Sequence, residues 1–258
     1  NYPTKKLPQE LNMSVNRKIF YERKSEMKIV HLCLGAFFPD NYSYQENMLP
    51  KFHKKQGYDV EVIASLETFD NDGKTCYYSE AKRYTNENDV LVTRLNYKSP
   101  DKIYKKLKRF SELSQALEMA KPDILFIHNV QFLDMDKVVS YLKRNKKVKV
   151  FCDNHADFTN SAKGFVSRKI LHGIIWKHCA KSIEPYTTKF YGVLPARVDF
   201  LKEVYGLPEE KCELLVMGAD DDRVSQASDP AVREAVRKRY KINDDEILLV
   251  TGGKIDHN

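Results

Sequence analysis

The sequence predicts an α/β protein built on a Rossmann-like, doubly wound and mostly parallel sheet. Three observations lead there. Short apolar runs of strand length recur along the chain. Helical patterns separate most of them. The strand-like runs are close to continuously apolar, as strands covered on both faces must be. A chain of 258 residues has room for one or two such cores. The hydrophobic share of 42% and charged share of 31% suit a soluble globular protein. No apolar run approaches the roughly 18 residues that span a bilayer.

The elements follow in order. Residues 1–26 are polar without a period and read as an N-terminal extension with no secretory signal. From Met27, strands are expected at Ile29–Leu34, Val60–Ala64, Val90–Leu95, Ile124–His128, Val148–Cys152, Ser182–Glu184, Leu214–Met217 and Ile247–Val250. A helix over 103–117 places Ile103, Leu107, Phe110, Leu113 and Leu117 on one stripe. Further helices are expected over 132–142, 165–176 and 231–240. Residues 67–89 carry Asp70-Asn71-Asp72-Gly73 and read as a long loop or a small hairpin excursion. Residues 27–240 thus form one domain, and 241–258 read as the opening of a second. A function that needs that second domain is expected to be incomplete in this stretch, with little turnover from it alone.

Composition narrows the function classes. The five cysteines are widely spaced. Most sit in apolar contexts, which suits a reducing, cytoplasmic compartment, and they form no zinc pairs or CxxC motif. The net charge of +7 permits an acidic partner, but no nucleic-acid motif accompanies it, so nucleic acid is not expected. Lys98, Lys102, Lys105, Lys106, Lys108 and Arg109 gather near one helix start with Tyr97 and Tyr104. Two readings compete: a solvated helix face, and peripheral contact with an anionic membrane or acceptor phosphate through Lys102, Lys105, Lys106 and Arg109.

In a doubly wound sheet, ligands bind outside the carboxyl ends of the strands. That selects four segments. The first, Gly35–Asn47, has one glycine and no GxGxxG, so it is no dinucleotide turn. Ser43 and Glu46 have capping-box spacing, and capping is the favoured role for Glu46. Pro50, inside the helical pattern, would bend the first turn and aim Tyr44 and Gln45 at the cleft; the competing reading is a short helix restarting after Pro50. The second segment, His128–Gln131, opens with His128, read as structural more readily than functional. His31, within a strand, reads as structural too. The third, Asp153–Asn160, is the densest polar cluster. His155, Asp157 and Asn160 there suit substrate contact better than a cap or a metal site. The fourth is Glu184–Thr188. Gly252-Gly253-Lys254 after the last strand could hold a diphosphate through amides and one lysine.

Taken together these segments resemble the N-terminal half of a GT-B glycosyltransferase, of the retaining, family-four-like class of bacterial capsule and lipopolysaccharide sugar transferases. Met27-Lys28-Ile29-Val30-His31 followed by Gly57-Tyr58-Asp59-Val60-Glu61-Val62-Ile63 is similar to that family's opening βαβ unit. Pro122-Asp123-Ile124-Leu125-Phe126-Ile127-His128 is similar to its PDIIHxH strand, and Met217–Val224 to its NGVDxxxF hinge. Val250–Ile255 is similar to xxGRL at the start of the donor domain. The family's Gly-Gly in the first loop is missing. Tyr44, Gln45, Glu46 and Asn47 stand nearby instead.

The resemblance implies a sugar moved from a nucleotide-sugar donor to a glycan or lipid-linked acceptor during surface polysaccharide synthesis. The place would be the cytoplasm, at the inner membrane face. His155 takes the catalytic position beside the donor sugar, and Lys254, with Gly253, the donor-diphosphate position. Acceptor contacts would come from Tyr44, Gln45, Glu46, Asn47, His128, Asp157, Asn160 and Glu184. No cofactor and no metal is implied. The competing reading is a non-catalytic α/β domain that binds a sugar or an anionic ligand.

Overall fold

The computed structural model describes residues 26–162 and 164–251. The chain falls into two compact units, one up to Val216 and one from Met217.

The first unit carries the strands β1 (Lys28–Cys33), β2 (Asp59–Ala64), β3 (Glu67–Phe69), β4 (Thr75–Tyr77), β5 (Lys82–Thr85), β6 (Leu91–Arg94), β7 (Ile124–His128), β8 (Lys149–Asn154), β9 (Thr187–Gly192) and β10 (Cys212–Leu214). Eight of them form one sheet in the order β10-β9-β8-β7-β1-β2-β6-β5. Every pairing is parallel except β5 with β6 at the edge. This is the doubly wound, mostly parallel sheet that the sequence predicts. The chain runs outward from β1 through β2, then returns to β7 on the other side. The order therefore reverses at β1, and the crevice lies at its carboxyl end. The excursion over 67–89 becomes the β3–β4 hairpin and the edge strand β5. Asp70 closes the hairpin turn by accepting from the amides of Asp72 and Lys74.

The helices of this unit are α1 (Gln45–Lys55), α2 (Asp101–Leu107), α3 (Leu113–Ala120), α4 (Met135–Arg144), a π-helix (Val166–Trp176) continuing as α5 (Lys177–Ile183), and α6 (Pro195–Glu203). On one sheet face, Val30, Leu32, Ile63, Leu125 and Ile127 join the large core. On the other, Cys33, Phe38, Val60, Val62 and Val92 make a smaller cluster. The alternation of strand side chains puts His31 and Cys33 on that second side.

Several expectations need correction. The strand expected at Leu214–Met217 lies earlier, at Cys212–Leu214. The helix over 103–117 is two helices. Lys108 adopts a left-handed backbone (φ 52°) that ends α2, and Phe110 bridges to Tyr97 before α3 begins. Ser182–Glu184 is not a strand. It closes α5 and enters a turn through Pro185, and the strand is Thr187–Gly192, whose threonines and lysine dilute the apolar signal. The stripe over 165–176 is only half covered. Trp176 and His172 are buried, while Phe165, Val166, Ile170 and Ile174 stay exposed. The wider winding turns Leu171, His172, Ile175 and Trp176 inward and those four away.

In the second unit, α7 (Asp221–Ala227) starts at Asp220, whose carboxylate accepts from the amide of Asp222. Asp229 caps α8 (Pro230–Tyr240) in the same way. Ile247–Val250 form no strand and are exposed. A lone apolar run without a neighbouring strand has no ladder to join. Gly253 and Lys254 lie outside the described residues, as does the side chain of Lys102.

Candidate functional site

The site builds from the carboxyl ends of β1, β7 and β8. Close backbone approach sets their spacing. A Cβ on Gly35 would stand 2.3 Å from the carbonyl oxygen of Asn129, so only glycine lets the loop after β1 meet the loop after β7. Asn129 turns the chain there with φ 65°. Beyond β9, a Cβ on Gly192 would stand 2.4 Å from the amide nitrogen of Val198, which brings the start of α6 against the sheet.

Asp153 is the centre. Register pairs it with His128 on β7. Its Oδ2 lies 2.7 Å from His128 Nδ1, and its Oδ1 accepts from the amide of Asn129 at 3.0 Å. Gln45 Nε2 approaches Oδ2 at 3.5 Å. Both Asp153 and His128 are buried. Burial opposes ionisation of Asp153, but the partners His128 and His155 outweigh it and hold the carboxyl well below the usual range.

His155 stands one step further out. Its Nε2 lies 3.5 Å from Asp153 Oδ1 and 3.6 Å from Glu46 Oε1, too loose on both sides for a formed hydrogen bond. Burial pulls its pKa down, but the carboxylates of Asp153 and then Glu46 raise it above the ordinary histidine value. The ring stands between two carboxylates that favour its protonated form, and its Nε2 is buried without a hydrogen-bond partner. Gln45 Oε1 and Asn129 Oδ1 are buried and unpartnered in the same way. A buried polar atom without a partner costs about 1–3 kcal/mol, which a ligand's hydroxyl or phosphate oxygen would recover.

Glu46 does not cap α1. The residue before the helix is Tyr44, no side chain caps there, and Glu46 points inward to His155. Pro50 sits within a continuous helix, so no restart occurs. Tyr44 is exposed and joins an aromatic group at the mouth, its ring centroid 5.4 Å from Tyr42 and 6.3 Å from Phe69. Tyr44 and His155 therefore stand at the same end of the sheet.

The other expected residues divide. Asn47 is buried and donates to the carbonyl of Pro39, fixing the first loop. Asp157 accepts from the amides of Thr159 and Asn160, from the Thr159 hydroxyl and from Arg197. Burial acts against it, but these donors hold its pKa low. Asn160 accepts from the Asp157 amide and donates to the His155 carbonyl. Both residues shape the loop that carries His155. Glu184 is a correction. It precedes β9 and stands at the amino end of the sheet, in an ion pair with Lys211 at 2.7 Å. The basic cluster is not one helix face. Arg109 lies past the break and pairs with Asp134 and Asp136, Lys105 lies over the Tyr77 ring, and Lys106 is exposed.

The sequence reading missed Asp153 as the hub and Asn129 as a cleft residue. An aspartate ending an apolar strand beside a neighbouring strand's terminal histidine was the available signal. Among the described residues, no group of acidic, histidine or cysteine side chains has metal-binding geometry, and no helix is long and apolar enough to cross a membrane.

Neither a protein-family model nor a curated protein sequence matches this chain. Solved structures do. A sucrose-phosphate synthase from Thermosynechococcus elongatus matches with a TM-score of 0.51 and 12% identity over 80% of this chain and 53% of that one. A glycosyltransferase from Rickettsia africae ESF-5 matches with a TM-score of 0.46 and 16% identity over 85% of this chain and 50% of its own. A UDP-GlcNAc 2-epimerase from Neisseria meningitidis, bound to UDP-GlcNAc, matches at 0.41 and 12% over 84% and 55%. At these identities the likeness is one of fold. The chain spans about half the length of each of these three structures.

Proposed function

We propose that this chain is the acceptor-side part of a glycosyltransferase, taking a sugar from a nucleotide-sugar donor to a glycan or lipid-linked acceptor in surface polysaccharide synthesis. One observation carries the reading: His155, with Nε2 buried and without a hydrogen-bond partner, stands between Asp153 and Glu46 at the carboxyl ends of the strands. In its protonated form it would donate to a sugar hydroxyl or meet charge growing on the departing phosphate. Glu46 and Asp153 favour that form. Gln45 and Asn129 offer acceptor oxygens to sugar hydroxyls, and Tyr44, Tyr42 and Phe69 offer aromatic faces at the rim. Gly253 and Lys254 are assigned to the donor diphosphate from their motif alone. The reading needs no redox cofactor and no metal, since amides and basic side chains can hold a diphosphate. The setting in capsule or lipopolysaccharide synthesis, at the inner membrane face, rests on the motif resemblance.

The test is transfer by the full-length protein from a panel of nucleotide sugars, with His155→Ala beside the wild type. The expected result is product from at least one donor, and loss of turnover in the variant while it stays folded. Sugar binding with no turnover from any donor would favour the non-catalytic binding domain. Turnover untouched by His155→Ala would remove the role given to this residue.

A further inference from the structure

Behind the cleft, three histidines stand in line. His128 Nε2 lies 2.9 Å from His31 Nδ1. His31 Nε2 lies 3.0 Å from His53 Nδ1. His128 Nδ1 lies 2.7 Å from Asp153. The residues come from four elements: α1, β1, β7 and β8. His31 and His128 are inaccessible to solvent, as is the Asp153 side chain. His53 is half-buried in the last turn of α1, so the line begins near solvent and ends in the cleft. Phe126 walls it, with ring centroids 5.5 Å from His31 and 4.8 Å from His128.

With neutral rings, proton counting leaves one arrangement of the line that has Asp153 ionised. A neutral imidazole has one donor and one acceptor nitrogen. Ionised Asp153 can only accept, so His128 must carry its proton on Nδ1. Its Nε2 then accepts, which puts the His31 proton on Nδ1. The same step puts the His53 proton on Nδ1 and leaves His53 Nε2 bare. With all three rings neutral, every bond points toward Asp153. Burial is the main cause that lowers His31 and His53, His53 to about 4, in keeping with neutral rings at those two positions.

We propose that His53, His31 and His128 form a proton relay between the last turn of α1 and Asp153 in the cleft. A proton taken up at His53 Nε2 releases the Nδ1 proton of His53 to His31 Nε2. His31 passes its Nδ1 proton to His128 Nε2, and His128 passes its own to Asp153 Oδ2. One proton enters and one reaches the carboxylate. Each ring is left neutral with its proton on Nε2, and every bond is reversed. The line resets by passing a proton back. It therefore couples the charge of Asp153, and through it of His155, to a group outside the cleft. The relay does not depend on sugar transfer. Proton uptake or release at Asp153 could use it.

The test is imidazole nitrogen NMR on the wild type and on His53→Gln, using the chain as it is. Glutamine can donate to His31 but cannot pass a proton on. The wild type is expected to show His31 and His128 as neutral Nδ1–H tautomers near neutral pH, the less common form in free histidine. Their ring protons should exchange with solvent faster than the amides of Ile29–Leu32 and Leu125–Ile127. In His53→Gln that ring exchange should slow about tenfold or more, with the strand amides unchanged. Ring exchange no faster than the amides, or unchanged in His53→Gln, would overturn the relay. If His53→Gln does not fold, the wild-type tautomers decide: His31 and His128 with protons on unlike nitrogens would put two donors or two acceptors face to face and break the line.

Discussion

The two ends of one sheet are built on opposite principles. At the amino end, polar groups are matched. The Lys28 amide donates to Asp123, Lys28 Nζ pairs with Glu61 at 2.9 Å, and Lys211 donates to both the carboxylate and the carbonyl of Glu184. At the carboxyl end, matching is left unfinished. Among the described residues of the first unit, the buried side-chain atoms without a hydrogen-bond partner belong to Gln45, Asn47, Glu67, Tyr97, Asn129 and His155. Each of these residues follows the carboxyl end of a parallel strand. The same core supports both ends, so the difference is not one of packing. A fold that satisfies its polar groups at one end leaves them open at the other where something else is to satisfy them.

The largest expected effect comes from the hub of the unfinished end. Asp153→Leu removes the carboxylate that His128, His155 and the Asn129 amide share. A buried donor left unpaired costs about 1–3 kcal/mol, and two buried donors lose their acceptor here, so urea unfolding should show a loss larger than that of a single such group. A loss near zero would mean that these donors find other partners. Next is Gly35→Ala, where the new Cβ meets the Asn129 carbonyl. Forced overpacking of this kind costs about 1–3 kcal/mol, and the loops after β1 and β7 must part to relieve it. An unchanged midpoint in the same unfolding assay would show that this junction is slack.

The sheet was legible in the sequence because buried parallel strands write themselves as apolar runs. Ile29–Leu34 and Ile124–His128 are of that kind. Thr187–Gly192 is not, since polar residues occupy an edge-side strand, and the expectation slid onto Ser182–Glu184 and took Glu184 with it. The site was half legible. Strand ends picked out His155, Gln45 and Glu46. The roles of Asp157 and Asn160 were not readable, because a turn that accepts its own amides and a ligand-binding loop use the same residue types. The histidine line could not be read at all: His31, His53 and His128 are brought together only by strand order and by the packing of α1.

A smaller effect separates structural from functional charge in the cleft. His155 is only half-buried and contributes little packing, so His155→Gln should cost no more than about 1 kcal/mol. Its pKa is raised in the folded state, mainly by Asp153 and Glu46 acting against burial. The stabilisation it gives is therefore complete below the unfolded value of about 6.5, and it is lost as pH rises through the folded value. Unfolding free energy should fall over that interval in the wild type and stay flatter in His155→Gln. Asp153 does not confuse the measurement. Its depressed pKa makes its contribution constant there and lost only in acid.

The smallest effect belongs to the matched end, and it sharpens the contrast most. Glu184 and Lys211 make a close, partly exposed pair at 2.7 Å. Such pairs give about 0–1 kcal/mol, because both ions keep much of their hydration and long side chains lose freedom on pairing. Lys211→Met should thus shift the unfolding midpoint little, and Glu184→Gln likewise. Neither should change sugar or nucleotide-sugar binding by the full-length protein, because both residues lie at the far end of the strands from His155. Titration calorimetry of Glu184→Gln beside Gln45→Ala makes the comparison direct. Weakened binding is expected for Gln45→Ala alone. Equal weakening in both would mean that the ligand does not sit where the unpartnered atoms are, and the division between the two ends would lose its functional meaning.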